Sequence, residues 1–198
     1  MGEADRYMDY KQPRKRFTLG DDNNALVALV TINIIIFILL LVIEVIYGNF
    51  QGSKTAFAQD VLPWFQMPAS LSALVSRPWT LLTGMFTHVY VWSEMVPNML
   101  WLWTFGFIFQ QLSGNRRLMP VYIYGGLAGA FIFILASNLL PASRPFIGNA
   151  WLWGAGSSNM ALAIAATMLA PDHRFFRNLG GGIPIWVITL VFVIIDFA

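Results

Sequence analysis

The chain has 198 residues, of which 57% are hydrophobic and 11% are charged, and its net charge is +2. Soluble domains contain about 25% charged residues, so this chain has too little polar surface to cover a globule in water. The composition excludes an ordinary soluble domain and indicates a polytopic membrane protein. The basic residues cluster near the N-terminus, which is typical of topology signals or lipid contact and not of nucleic-acid binding.

Residues 1–24 are polar and of mixed charge, and no signal-peptide cleavage site is evident. We interpret them as a cytoplasmic N-terminal tail. Residues 25–198 are predicted to form one all-α transmembrane domain, whose first span covers about residues 25–47. Residues 48–91 are broken by glycine and proline and are rich in aromatic residues, which predicts a loop lying in the membrane interface.

Four more spans are predicted at about 92–112, 118–140, 150–170 and 183–198. On the third, Gly125, Gly126 and Gly129 have the small-residue spacing that lets helices pack closely. Nine of the twelve Lys and Arg residues lie on the same side of these spans as the N-terminus. The positive-inside rule therefore places the N-terminus in the cytoplasm, and without a signal peptide the arrangement fits a bacterial inner membrane.

The chain has no cysteine and only two histidines, His88 and His173. This excludes thiolate metal sites, and two distant histidines do not support a zinc site, so we expect neither a metal nor a cofactor. For His88 a hydrogen-bonded structural role is favoured over a catalytic or pH-sensing one. His173 is interpreted as a solvated loop residue.

Polar residues on the spans are the candidate site residues. Glu94 and Asn98 are four residues apart and therefore share one face of the second span. They form an internal polar site if Glu94 lies deep, and a solvated pair if it reaches water. Ser157 and Ser158, near the outer end of the fourth span, either hydrogen-bond a carbonyl one turn back or act as a nucleophile beside a base. Asn98 is then a candidate oxyanion donor.

Four segments together resemble the rhomboid intramembrane serine proteases: RPWTLLTGMFTH, NMLWLWTFG, SGNRRLMPVYIYGGLAG and APDHRF. The resemblance covers about residues 25–198 and implies a six-span bundle that cleaves transmembrane helices. It implies a serine nucleophile in Gly-x-Ser-Gly on the fourth span and a histidine base on the sixth. It also implies a His-x-x-x-Asn pair on the second span that binds the oxyanion. Five spans are present here, and the sixth is expected to be absent.

The sequence departs from that pattern at each site position. Glu94 stands at the histidine position of the His-x-x-x-Asn pair, whereas Asn98 is retained. Alignment on ATMLAPDHRF requires no gap and places Gly156 at the nucleophile position, and we favour this register. Alignment on Gly-x-Ser instead makes Ser158 the nucleophile and puts Asn159 where glycine belongs. A serine without a neighbouring base is a poor nucleophile, so the missing histidine argues against catalysis.

Three functions follow from these observations. The favoured hypothesis is a non-proteolytic pseudoprotease that binds transmembrane helices of client or partner proteins, or is a subunit of a larger membrane complex. The alternative is an active rhomboid serine endopeptidase that uses Ser158 or Ser157 with a histidine from residues beyond 198. The third is an unrelated membrane scaffold or transporter segment. Broken spans with internal charges would indicate a transporter, and beyond Glu94 these features are lacking.

Overall fold

The computed structural model describes residues 24–51, 54–175 and 181–197, and most of them are helical. The helices are α1 (Ala25–Gln51), α2 (Lys54–Asp60), α3 (Leu71–Ser76), α4 (Thr80–Thr83), α5 (Val96–Ser113), α6 (Asn115–Leu139), α7 (Gly156–Leu169) and α8 (Ile185–Phe197). The four short strands are β1 (Met67–Pro68), β2 (Trp151–Leu152), β3 (Arg174–Phe175) and β4 (Ile183–Pro184). Except for Asn24, the predicted N-terminal tail lies outside the described residues.

A helix lies at each of the five positions at which we predict a span. Within the described ranges, two helices are long and apolar enough to cross a membrane. They cover Ala25–Asn49, with a mean hydropathy of 3.3, and Asn115–Leu139, with 1.9. Helices α7 and α8 are apolar but shorter. Length and apolarity thus identify two spans where the sequence predicts five.

Helix α1 is apolar on all sides, as expected of a membrane helix. Leu26 and Leu29 face the bundle and are buried, whereas Ile35 and Leu39 on another face are exposed. With hydrocarbon as the solvent, an exposed aliphatic face is compatible with the fold.

The segment predicted as an interfacial loop is ordered into short elements. It contains α2, α3 and α4, two 3-10 turns at Leu62–Trp64 and Gly84–Phe86, and strand β1. Strand β1 pairs antiparallel with β2, with Met67 opposite Leu152. We call residues 54–95 the connecting segment. Its pairing with β2 fixes it to the residues that lead into α7.

Helix α7 lies between α5 and α6, and its contacts with these two helices form the centre of the fold. A Cβ at Gly125 of α6 would overlap Ala161, and one at Gly129 would overlap Ser157, so neither position has room for a larger residue. This confirms the close helix packing predicted from the glycine spacing.

The end of the bundle opposite the connecting segment is held by side-chain amides. The Oδ1 atom of Asn115 accepts hydrogen bonds from the backbone N–H of Ala25 at 2.7 Å and from Nε2 of Gln110 at 2.6 Å. Nε2 of Gln110 also donates to Oδ1 of Asn24 at 3.0 Å, and Asn24 caps the first turn of α1. These bonds satisfy the orphan N–H groups at the start of α1 and join it to α5 and α6.

Helix α8 packs on α7 and α5. The Phe192 ring stacks on Trp101 of α5, with ring centroids 4.7 Å apart, and contacts Phe105 with centroids 5.9 Å apart. Aromatic pairs at these distances add to the burial of apolar surface. The contact brings the C-terminal part of α8 to the same end of the bundle as the start of α7.

Candidate functional site

The fourth predicted span begins six residues later than predicted, at Gly156, because the preceding residues are held in another conformation. Trp151 and Leu152 form β2, and the backbone N–H of Gly154 donates to the carbonyl of Gly84 at 2.9 Å. Gly154 has φ of +90°, a value that favours glycine over other residues. The chain therefore turns sharply before α7 and presents the start of this helix to the connecting segment.

Ser158 is packed inside the bundle. Its side chain is fully buried, and its Oγ lies beside the Tyr122 hydroxyl without a well-aligned hydrogen bond to any described residue. A Cβ at Gly126 of α6 would lie 2.6 Å from this Oγ, so the serine fills the space that the glycine leaves. At a site of this kind a hydroxyl needs a base within hydrogen-bond reach to act as a nucleophile, and no such bond is present here.

Ser157 points towards α6 and the connecting segment. Its side chain packs against Gly129, and it lines a cavity of about 10 Å³ together with Gly84, Met85 and Gly126. A cavity of this size has room for about one water molecule. Of the two candidate serines, Ser157 is the one with open space beside it.

Asn98, the candidate oxyanion donor predicted from the sequence, lies beside α7. Nδ2 of Asn159 on α7 donates to the backbone carbonyl of Asn98 at 2.9 Å and to its Oδ1 at 3.1 Å. Nδ2 of Asn98 in turn donates to the carbonyl of Glu94 at 2.9 Å. The Asn98 amide is thus engaged on both sides within the protein. The sequence alone does not predict its pairing with Asn159.

The Glu94 carboxylate caps the start of its own helix. Its Oε2 accepts hydrogen bonds from the backbone N–H of Val89 at 2.9 Å and of Tyr90 at 3.3 Å. The residue lies in a π-helical turn, Val91–Met95, that leads into α5. A carboxylate at this end satisfies orphan donors and is stabilised by the helix macrodipole. Glu94 thus turns back to the two residues Val89 and Tyr90 that precede its helical turn, and not towards Ser157 or Ser158.

Asp196, which is not among the site residues predicted from the sequence, approaches the start of α7 from α8. A Cβ at Gly156 would lie 3.2 Å from its Oδ1. Helix α7 has no side-chain cap of its own, and its N-terminus carries partial positive charge that favours a nearby carboxylate. The sequence feature that could identify Asp196 as a site residue is that it is the acidic residue of an otherwise apolar last helix.

Neither histidine lines the cavity beside Ser157 or hydrogen-bonds to Ser158 among the described residues. His173 follows the C-terminal end of α7, a helix of 14 residues, and so is roughly 20 Å along the helix axis from Gly156. His88 is 1% exposed, and its side chain lines a cavity against α1 and α2 to which α7 contributes no residue. Burial lowers the pKa of His88, against the opposing effects of the Phe86 carbonyl and the Glu94 carboxylate.

The described residues thus form a membrane-type helical bundle with a group of polar side chains around the start of a short central helix. In the described part of the chain, no three His, Cys, Asp or Glu residues come together as a metal site would require. The sequence matches the Rhomboid domain family over residues 75–198, more than half of the chain. The chain belongs to the rhomboid family. No curated protein and no solved structure matches it.

Proposed function

We propose that this rhomboid-family protein is a non-proteolytic pseudoprotease of the bacterial inner membrane, with its N-terminus in the cytoplasm. It binds transmembrane helices of client or partner proteins, or serves as a subunit of a larger membrane complex, and is surrounded by lipid. The observation that carries the proposal is the pairing of Gly156 with Asp196. In the favoured register Gly156 stands at the nucleophile position, and the Asp196 carboxylate lies against it.

A carboxylate at this place opposes peptide-bond cleavage. Acyl transfer develops negative charge on the carbonyl oxygen, and proteases stabilise that charge with hydrogen-bond donors aimed at it. Asp196 lies beside Gly156 in the first turn of α7, the turn whose N–H groups would be the donors needed here. Its oxygens compete for these donors, and an ionised carboxylate at this place would repel a developing oxyanion.

The environment of the serines supports the same proposal. Ser158 is buried against Gly126 and has no well-aligned hydrogen bond to any residue that the structure describes, and Ser157 packs against Gly129. Neither histidine shares a cavity with Ser157 or hydrogen-bonds to Ser158 among the described residues. Loss of a triad member typically lowers the rate by several orders of magnitude.

The apolar exterior of the bundle supports binding to other membrane helices. Large aliphatic residues are exposed on the outward faces of α6 and α8, such as Ile132, Leu139, Leu190 and Ile194. In a bilayer these faces meet either lipid tails or the helices of partner proteins, which associate through van der Waals packing and interhelical hydrogen bonds.

Incubation of the full chain in lipid nanodiscs with a model transmembrane substrate tests the proposal. We expect the substrate to stay intact and to copurify with the protein at a fixed stoichiometry. Cleavage that is abolished by Ser157→Ala or Ser158→Ala, but not by the exposed-surface variant Ala128→Ser, would establish the active endopeptidase instead. The position of Ser157 beside a cavity is the observation that favours that alternative.

A further inference from the structure

A second buried polar site lies between α1 and the connecting segment. His88 and Glu44 line a cavity of about 10 Å³, whose other walls are mainly apolar and include Leu40, Phe57, Leu62 and Val89. It shares no residue with the cavity beside Ser157. The site is therefore separate from the polar group at the start of α7.

The hydrogen bond of the His88 imidazole determines which ring nitrogen carries the proton and which one needs a donor. Nδ1 of His88 lies 3.2 Å from the carbonyl oxygen of Phe86, which accepts hydrogen bonds only, so Nδ1 carries the proton. Nε2 of the neutral ring is then an acceptor. It is buried, and none of the described residues donates a hydrogen bond to it. A buried acceptor of this kind is almost always paired in a native protein.

Among the neighbouring acidic groups, Glu44 lines the cavity together with His88. Glu94 accepts hydrogen bonds from the backbone of Val89 and Tyr90. Asp60 of α2 accepts one from the hydroxyl of Tyr47 at 2.8 Å. A Glu44 carboxylate is also an acceptor, so two acceptors, His88 Nε2 and Glu44, line one cavity.

We propose that the cavity binds one water molecule, which donates one hydrogen bond to Nε2 of His88 and the other to the carboxylate of Glu44. Water fits both requirements: the volume holds about one molecule, and a water molecule offers two donors to two acceptors. The bridge connects α1 to the connecting segment, in addition to the hydrogen bond from Tyr47 to Asp60 and to the β1–β2 pairing. Its role is to hold this segment against the membrane helix.

A double-mutant cycle of Glu44→Leu and His88→Phe, measured by unfolding in detergent, tests this bridge. Each single change leaves one polar group of the cavity without its partner and should raise the unfolding equilibrium constant by about tenfold. The double variant should raise the unfolding equilibrium constant by less than the product of the two single effects, because both ends of the bridge are removed together. Glu44→Gln keeps an acceptor oxygen and should stay close to the wild type.

Nitrogen NMR of the folded protein provides a second test that needs no destabilising variant. In a His173→Gln background His88 gives the single histidine signal. We expect an Nδ1–H tautomer with a hydrogen-bonded Nε2 and magnetisation transfer from water. Proton occupancy of Nε2 at neutral pH, a direct bond from Glu44, or strictly multiplicative effects in the cycle would overturn the proposal.

Discussion

The amide of Asn159 on α7 binds both oxygens of Asn98 on α5, the backbone carbonyl at 2.9 Å and the side-chain Oδ1 at 3.1 Å. These bonds join two helices through a residue that the family resemblance assigns to oxyanion binding. Both oxygens of Asn98 are therefore already occupied by the contact between the two helices. The pair therefore has a structural role that can be measured by itself.

Replacement of Asn159 by alanine should destabilise the protein by about 1 kcal/mol, because interhelical hydrogen bonds in membranes contribute about this much and Asn98 loses its partner. Chemical unfolding in detergent measures this change. Thr104→Ala provides a matched control, since Thr104 only bonds back to the Leu100 carbonyl on its own helix. Equal stability of the Asn159 and Thr104 variants would contradict a role for the pair in joining the helices.

The contact of α6 with α7 predicts a strong difference between two glycine-to-alanine substitutions. Gly129→Ala places a methyl group onto Ser157 and should cost about 1–3 kcal/mol, the usual cost of overpacking. Gly48→Ala in α1 meets no atom within 4 Å and should stabilise the helix by up to about 1 kcal/mol. Thermal unfolding of both variants measures the difference, and equal melting temperatures would refute the close packing at Gly129.

Glu94 should matter for the stability of the junction between the connecting segment and α5. Glu94→Ala removes the acceptor of two backbone N–H groups and should cost about 1 kcal/mol, as loss of a helix cap does. Glu94→Gln retains one acceptor oxygen and should lose less. Limited proteolysis of the connecting segment, together with unfolding, measures both variants. A larger loss for glutamine than for alanine would rule out the capping role.

His88 gives the stability a defined dependence on pH. Burial depresses its pKa in the folded protein below the ordinary value of 6.5. As pH falls below about 6.5, the unfolded chain binds a proton that the folded chain does not, so the stability present at neutral pH is progressively lost until the folded ring titrates. The denaturant concentration at the midpoint of unfolding should therefore decrease when the pH is lowered from 7.5 to 5.5, two values roughly one unit above and below the ordinary pKa.

The same comparison in two histidine variants identifies the residue responsible. His88→Gln should reduce the pH-dependent loss, whereas His173→Gln, in the turn after α7, should retain it. If the His173 variant abolishes the dependence and the His88 variant does not, burial of His88 is not its source.

Local patterns were predictable from the sequence, whereas contacts between distant segments were not. The spacing of Gly125 and Gly129 predicts a tight helix contact because small residues at this interval line one helix face. The start of α7 was predicted too early because Trp151 and Leu152 are apolar enough to extend a span. Only the pairing with Met67 and Pro68 shows that they form a strand.

The two contacts that define the candidate site join residues far apart in the sequence. Asn98 and Asn159 are 61 positions apart, and their pairing depends on how α5 packs on α7. Asp196 meets Gly156 only because α8 runs back along α7. A single sequence carries the polarity of these residues but not the helix arrangement that brings them together.

The most direct test of the central claim is labelling of the intact protein with a fluorophosphonate probe, followed by mass spectrometry of the α7 peptide. The probe reacts with a serine whose hydroxyl is activated by a base. We predict no adduct on Ser157 or Ser158 under conditions in which an active rhomboid protease is fully labelled. A stoichiometric adduct on either serine, lost when that serine is replaced by alanine, would contradict the proposal that this protein binds transmembrane helices without cleaving them.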